Sequence, residues 1–174
     1  MAAPDPFESF LRNPSRETYA AVRRAVIKDK NYNPYGNSLE SAAALLEQDK
    51  FQEFLDQVPQ LLPDHLLSPR LHMMASFAWR ELGDEEGAKF EMSLAHLCIE
   101  GILKSGDGSR ANPYPVLRVS DEYDVLGALG KKLTKQSLLK SEGKSFDAID
   151  CDDGSVIHFD ITDMFAALNR QFTK

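Results

Sequence analysis

Cys151, His158 and Asp160 stand close together in DAIDCDDGSVIHFD. A thiol beside an imidazole is the minimum for nucleophilic catalysis. If Asp153-Gly154 closes a two-residue hairpin, Asp152 pairs with Ser155 and Asp150 with Ile157. That register puts Phe146, Ala148, Ile157, Phe159 and Ile161 on one face, the expected core. Asp147, Ile149, Cys151, Val156, His158 and Asp160 share the other, where Cys151 and His158 are diagonal neighbours. Yet Asp147, Asp150, Asp152 and Asp153 crowd the thiol in sequence, and negative charge disfavours a thiolate. The pattern marks no oxyanion hole and no third orienting group. The reading adopted is the semi-polar outer face of a sheet, with a small Cys/His enzyme as the alternative.

Two other constellations invite chemistry. SGDGS, Ser105 to Ser109, is a glycine-rich turn of the sort that cradles anions with backbone amides. It lacks a phosphate-loop lysine, and Asp107 is its only carboxylate, too few for a calcium loop. It reads as a helix stop and connector. His65, His72 and His96 are scattered without the paired spacing and carboxylate of a metal site. No metal and no cofactor is expected.

The remaining candidate is a binding face. Aligning Asp49 with Gly83 reveals a 34-residue offset in which Phe54 meets Ala88, Val58 meets Met92 and Leu61 meets Ala95. That is the tetratricopeptide period. In this register Arg70, Met73, Phe77 and Arg80 line the first helix of the second unit, on the side that would be concave. Leu39, Ala43 and Leu46 are their counterparts one repeat earlier. Such faces take up peptide segments. The lysines and asparagines of a carboxylate clamp are missing. The competing reading is that this surface packs on the N-terminal helix or the C-terminal sheet, because two repeats are fewer than a free solenoid needs.

The elements that must position these residues follow from periodicity and punctuation. Ser15 caps a helix running to about Asp29, with Tyr19, Val22, Val26 and Ile27 as its apolar stripe. Pro34 and Gly36 punctuate NYNPYGN, and Asn37 with Glu40 resembles a capping box. In KFQEFLDQVPQLL, Pro59 should kink or shorten the helix. Ser68-Pro69 opens the next helix, Gly83 stops it, and Asp84 starts another to about Lys104. Trp79 is expected largely buried between them. Beyond SGDGS the period changes from 3.6 to 2. VLRV reads as a strand and DEYDVLGAL as a short helix. Three strands follow near 134–140, 145–151 and 155–161, then a helix capped by Thr162 or Asp160. The expected fold is α+β: N-terminal helical hairpins over 15–104 packed with a strand-rich 105–174, an antiparallel β-meander closed by a terminal helix. All of 1–174 is expected to form one domain.

Composition bounds the function. The chain has 174 residues, 20 basic against 27 acidic, and net charge −7. Acidity argues against nucleic acid, and no apolar run approaches a membrane span. The start shows no basic stretch followed by an apolar segment, so a cytoplasmic protein is expected. Cys98 and Cys151 then stay reduced.

NYNPYG, LKSGDGS, DEYDVLGALG, LTKQSLLKSEGKSFDAID and VIHFDIT together resemble a bacterial domain-of-unknown-function family of tetratricopeptide-like α+β proteins. The resemblance covers about 31–161 and supports the fold; it implies no functional residue. The expected function is a non-enzymatic protein-interaction module, using the helical-repeat face or the acidic surface toward an unidentified protein partner. An acidic module facing a basic partner is one concrete form, and an oligomer-building domain is a further alternative.

Overall fold

The computed structural model describes residues 5–172. The expected single domain over 1–174 therefore includes residues 1–4 and 173–174, which lie outside the described residues.

A helix that the periodicity did not announce comes first. α1 (Pro6–Arg12) forms because Asp5 accepts from Phe7 N at 2.7 Å and Glu8 N at 3.2 Å, with Pro6 in the first turn. α2 (Arg16–Lys28) carries the expected Ser15 cap, completed by Thr18 as a capping box. Tyr19, Val22 and Val26 are its buried stripe. α3 (Ser38–Leu46) starts at Asn37 as expected, but Asn37 makes no side-chain cap bond, so the Asn37–Glu40 capping box is not formed.

α4 (Phe51–His65) continues past Pro59 for six more residues, so the proline does not shorten the helix there. Proline removes one helical N–H there. The burial of Phe54, Leu55, Val58 and Leu61 along one face outweighs that loss. α5 (Pro69–Glu81) and α6 (Glu85–Ser105) are joined through Gly83, at φ +83°. The matching turn between α3 and α4 has Asp49 at φ +57°. Trp79 is half-buried rather than largely buried. It lies on α6 at Gly87, where a Cβ would come within 3.0 Å of the ring.

β1 is only Tyr114–Pro115, and VLRV is not a strand. The amides of Leu117 and Arg118 donate to Asp121 Oδ2 at 3.0 and 3.1 Å. They cap α7 (Val119–Ala128) instead of entering a ladder. β2 (Leu133–Ser141), β3 (Lys144–Cys151) and β4 (Val156–Asp160) form the antiparallel meander, and α8 (Thr162–Phe172) closes the chain. β1 adds in parallel to β4, giving a mixed sheet in the order β1-β4-β3-β2.

Two apolar clusters divide the interior. One joins α3, α4 and α5 through Leu39, Ala42, Phe54, Leu71 and Ala75. The other joins α1, α2, α6, α7 and α8 to one face of the sheet, through residues such as Phe10, Tyr19, Ile102, Val125 and Phe159.

Candidate functional site

The four residues of the predicted binding face form one row along α5. The helix packs its opposite side, Leu71, Ala75 and Ala78, into the core. Residues three, four and seven apart then share the outer side. Met73 and Phe77 are 36% and 37% exposed. Phe77 meets the edge of Phe51 with ring centroids 5.7 Å apart, and the Arg80 guanidinium lies 5.5 Å from the Phe77 centroid. Arg70 is engaged elsewhere: it reaches Asp124 Oδ1 on α7 at 2.8 Å. Of the counterparts one repeat earlier, Leu39 is buried, while Ala43 and Leu46 are partly covered.

Cys151 and His158 do not form a site. The loop between β3 and β4 has three residues, Asp152, Asp153 and Gly154, not two. Gly154 N donates to Cys151 O at 3.0 Å, and Cys151 N donates to Ser155 O at 2.8 Å. Gly154 takes φ +82°, the left-handed residue such a loop needs. One extra loop residue shifts the register by one and exchanges the faces of one strand relative to the other. Ile149 pairs with Ile157 and Asp147 with Phe159. Ile149 and Cys151 therefore enter the core with Ile157 and Phe159. Phe146 and Ala148 join His158 and Asp160 on the other face.

Two amides of the SGDGS turn are spent within the connector 107–112. Ser109 N donates to Asp107 Oδ1 at 2.8 Å, and Asp107 N to Asn112 O at 2.9 Å. Two of the histidines are structural: His72 Nδ1 lies 2.7 Å from Glu91 Oε2 and its Nε2 lies 3.1 Å from Leu66 O. His65 contacts Ser38 Oγ at 3.1 Å. Burial, then the Arg118 charge, pushes its pKa down to about 3. No group of three or more His, Cys, Asp or Glu side chains suits a metal ion among the described residues.

The sequence reading missed a charged interior centred on α7. Arg118 is buried and binds the Asp64 carboxylate, Asp64 O at 2.8 Å and Asn33 O at 3.1 Å. It ties α7 to α4 and to the 31–37 loop. Glu122, fully buried, faces Asp147 on β3, and the Gln136 amide reaches both. Burial first, then the Asp147 charge, pushes the Glu122 carboxyl up to about 9. Asp121 is likewise pushed up to about 7 by burial. In sequence, DEYD looks like the ordinary acidic first turn of a helix. Only the packing of α7 under the sheet reveals its burial.

A family model described as a domain of unknown function (DUF4919) matches residues 12–170. No curated protein and no solved structure matches the chain.

Proposed function

The chain belongs to the DUF4919 family of unknown function, and from that premise we propose that it is a non-enzymatic protein-interaction module. Its contact face is the α5 row of Arg70, Met73, Phe77 and Arg80, carried on tetratricopeptide-like helical hairpins. The observation behind this reading is the exposure of Met73 and Phe77 on adjacent turns of a helix whose other side is fully packed. Contiguous apolar side chains rimmed by polar ones mark interaction sites. Phe51 and Arg80 brace the Phe77 ring, which lowers the side-chain ordering cost on binding. The two hairpins, matched at a 34-residue offset with a positive-φ residue at each turn, support the repeat reading.

The partner we envisage is a protein segment that brings an apolar side chain to Met73 and Phe77 and a carboxylate to Arg80. A net charge of −7 favours a partner basic elsewhere on its surface and disfavours nucleic acid. No described helix is long and apolar enough to cross a membrane. We place the protein in the cytoplasm, where two free cysteines suit a reducing compartment. The separation of Cys151 from His158 across the sheet weighs against the enzyme alternative.

The test is photo-crosslinking in the native host, with a benzophenone side chain at position 77 or, as control, at the exposed Val156 position. A discrete adduct at 77 alone, lost on Met73→Asp, supports the module. Equal adducts at both positions, or none, refute it. An adduct at twice the chain mass favours an oligomer-building domain.

A further inference from the structure

A cleft of about 470 Å³ opens on the outer face of the sheet, away from α5. Its floor is a row across three strands, since Phe146 pairs with Asp160 and Asp160 with Pro115. Three other segments supply its walls: the first residue of α2, the connector 110–113, and the β2–β3 turn with Lys144. Arg16, Arg110 and Lys144 thus converge from segments far apart in sequence. None of the three makes an ion pair among the described residues. In a chain of net charge −7, three cations around one cavity, without an ion pair among the described residues, are a local enrichment in positive charge. Two acids also line the cleft. Glu142 sits in the hairpin turn. Asp160 already accepts from Thr162 N at 3.0 Å.

From this geometry we infer that the cleft binds a small organic phosphate ester. The phosphate lies among Arg16, Arg110 and Lys144, and the apolar body rests on Phe146, Pro113 and Pro115. Against Glu142 and Asp160 the three cations leave the lining at a formal 3 − 2 = +1, and the planar donor forks of Arg16 and Arg110 with the Lys144 ammonium suit the several acceptor oxygens of a phosphate monoester. The volume falls in the range of small-molecule pockets. The SGDGS turn acquires a role as well: its internal hydrogen bonds hold the connector that carries Arg110, Asn112 and Pro113 against the sheet.

Titration calorimetry and amide-shift mapping on the full chain test this with phenyl phosphate, inorganic phosphate, benzoate and phenol. Phenyl phosphate is expected to bind about tenfold more tightly than each of the others. Its shifts should centre on 110–115 and 141–146. Arg16→Gln and Lys144→Gln, both at exposed positions, should together weaken it about a hundredfold without lowering Tm. Phe146→Ser should cost affinity for phenyl phosphate and leave inorganic phosphate unchanged. Four results overturn the inference: no saturable binding at about 10 mM phenyl phosphate, benzoate or phenol binding as tightly, shifts centred elsewhere, or indifference to the double charge substitution.

Discussion

Glu122 on α7 and Asp147 on β3 meet at the core face of the sheet, where the Gln136 amide lies 3.3 Å from one carboxyl and 2.9 Å from the other. Two carboxyl groups brought together away from water cannot both ionise cheaply. The arrangement holds because Glu122 keeps its proton, with a pKa moved from 4.5 to about 9. The unfolded chain loses that proton near 4.5, the folded chain near 9. Stability from this group is therefore complete below about pH 4.5 and declines as pH rises toward 9. Glu122→Gln preserves the shape and removes the titration. The variant should melt above the wild type at pH 8, and the difference should shrink to near zero at pH 4. Equal Tm differences at both pH values would contradict the buried acid.

His65 acts on the acid side. Its pKa, lowered from 6.5 to about 3, means that the unfolded chain takes up a proton which the folded chain refuses. Its contribution is present above about pH 6.5 and is lost as pH falls toward 3. Melting curves of His65→Gln against wild type should show this: whatever the variant costs at pH 7, it should cost less at pH 4.5. A difference independent of pH would show that His65 titrates in the fold as it does in the unfolded chain, and would contradict its buried neutral state.

Arg118 is the tie between the two apolar clusters, because it holds the end of α4 through Asp64 and the 31–37 loop through Asn33 O. Removing one partner of a buried ion pair leaves the other uncompensated, at about 3–5 kcal/mol. Arg118→Met should lower the unfolding free energy obtained from urea denaturation by that amount. Asp64→Asn combined with Arg118→Met should be less harmful than the sum of the single changes, since the pair is lost only once.

Much of this fold was legible in the sequence, for physical reasons. Caps and stops such as Ser15, Ser68-Pro69 and Gly83 act locally, so their elements appear where the sequence implies them. The misses are places where tertiary structure overrules local chemistry. Pro59 sits in a helix held by its buried stripe. VLRV is drawn off the ladder by the Asp121 carboxylate. α1 is different: its signal is local, a capping acid followed by proline at Asp5-Pro6, with too short an apolar stripe to show a period. The candidate row on α5 follows from helical spacing alone, whereas the cleft needs four distant segments and no local motif announces it.

Gly101 tests the packing of α2 on α6. A Cβ there would lie 2.3 Å from Tyr19 Cδ2, and the Tyr19 ring is itself pinned against Phe10 at 5.7 Å between centroids. Alanine in place of a helical glycine normally stabilises by about 1 kcal/mol. Here overpacking of about 1–3 kcal/mol opposes it. Gly101→Ala should leave the protein no more stable by urea denaturation. Tyr19→Leu in the same chain should restore part of the propensity gain. A clear stabilisation by Gly101→Ala alone would mean that α2 and α6 sit further apart.

The exchange of faces at the β3–β4 loop makes a sharp prediction about the thiols. Cys151 is buried in the core with Ile149 and Ile157, while His158 occupies the opposite face, opposite Ala148. The two side chains have the sheet between them, so the imidazole cannot take the thiol's proton. Cys98 is buried on α6, and burial drives its thiol well above the ordinary range. Reactive cysteines are exposed and flanked by positive charge, and neither thiol is exposed. Iodoacetamide at pH 8 should label both only as fast as the chain opens. Urea should accelerate labelling in step with unfolding, and His158→Ala should leave the Cys151 rate unchanged. Rapid native labelling of Cys151 that disappears in the His158→Ala variant would place both residues on one face. It would restore the two-residue loop and, with it, the enzyme alternative.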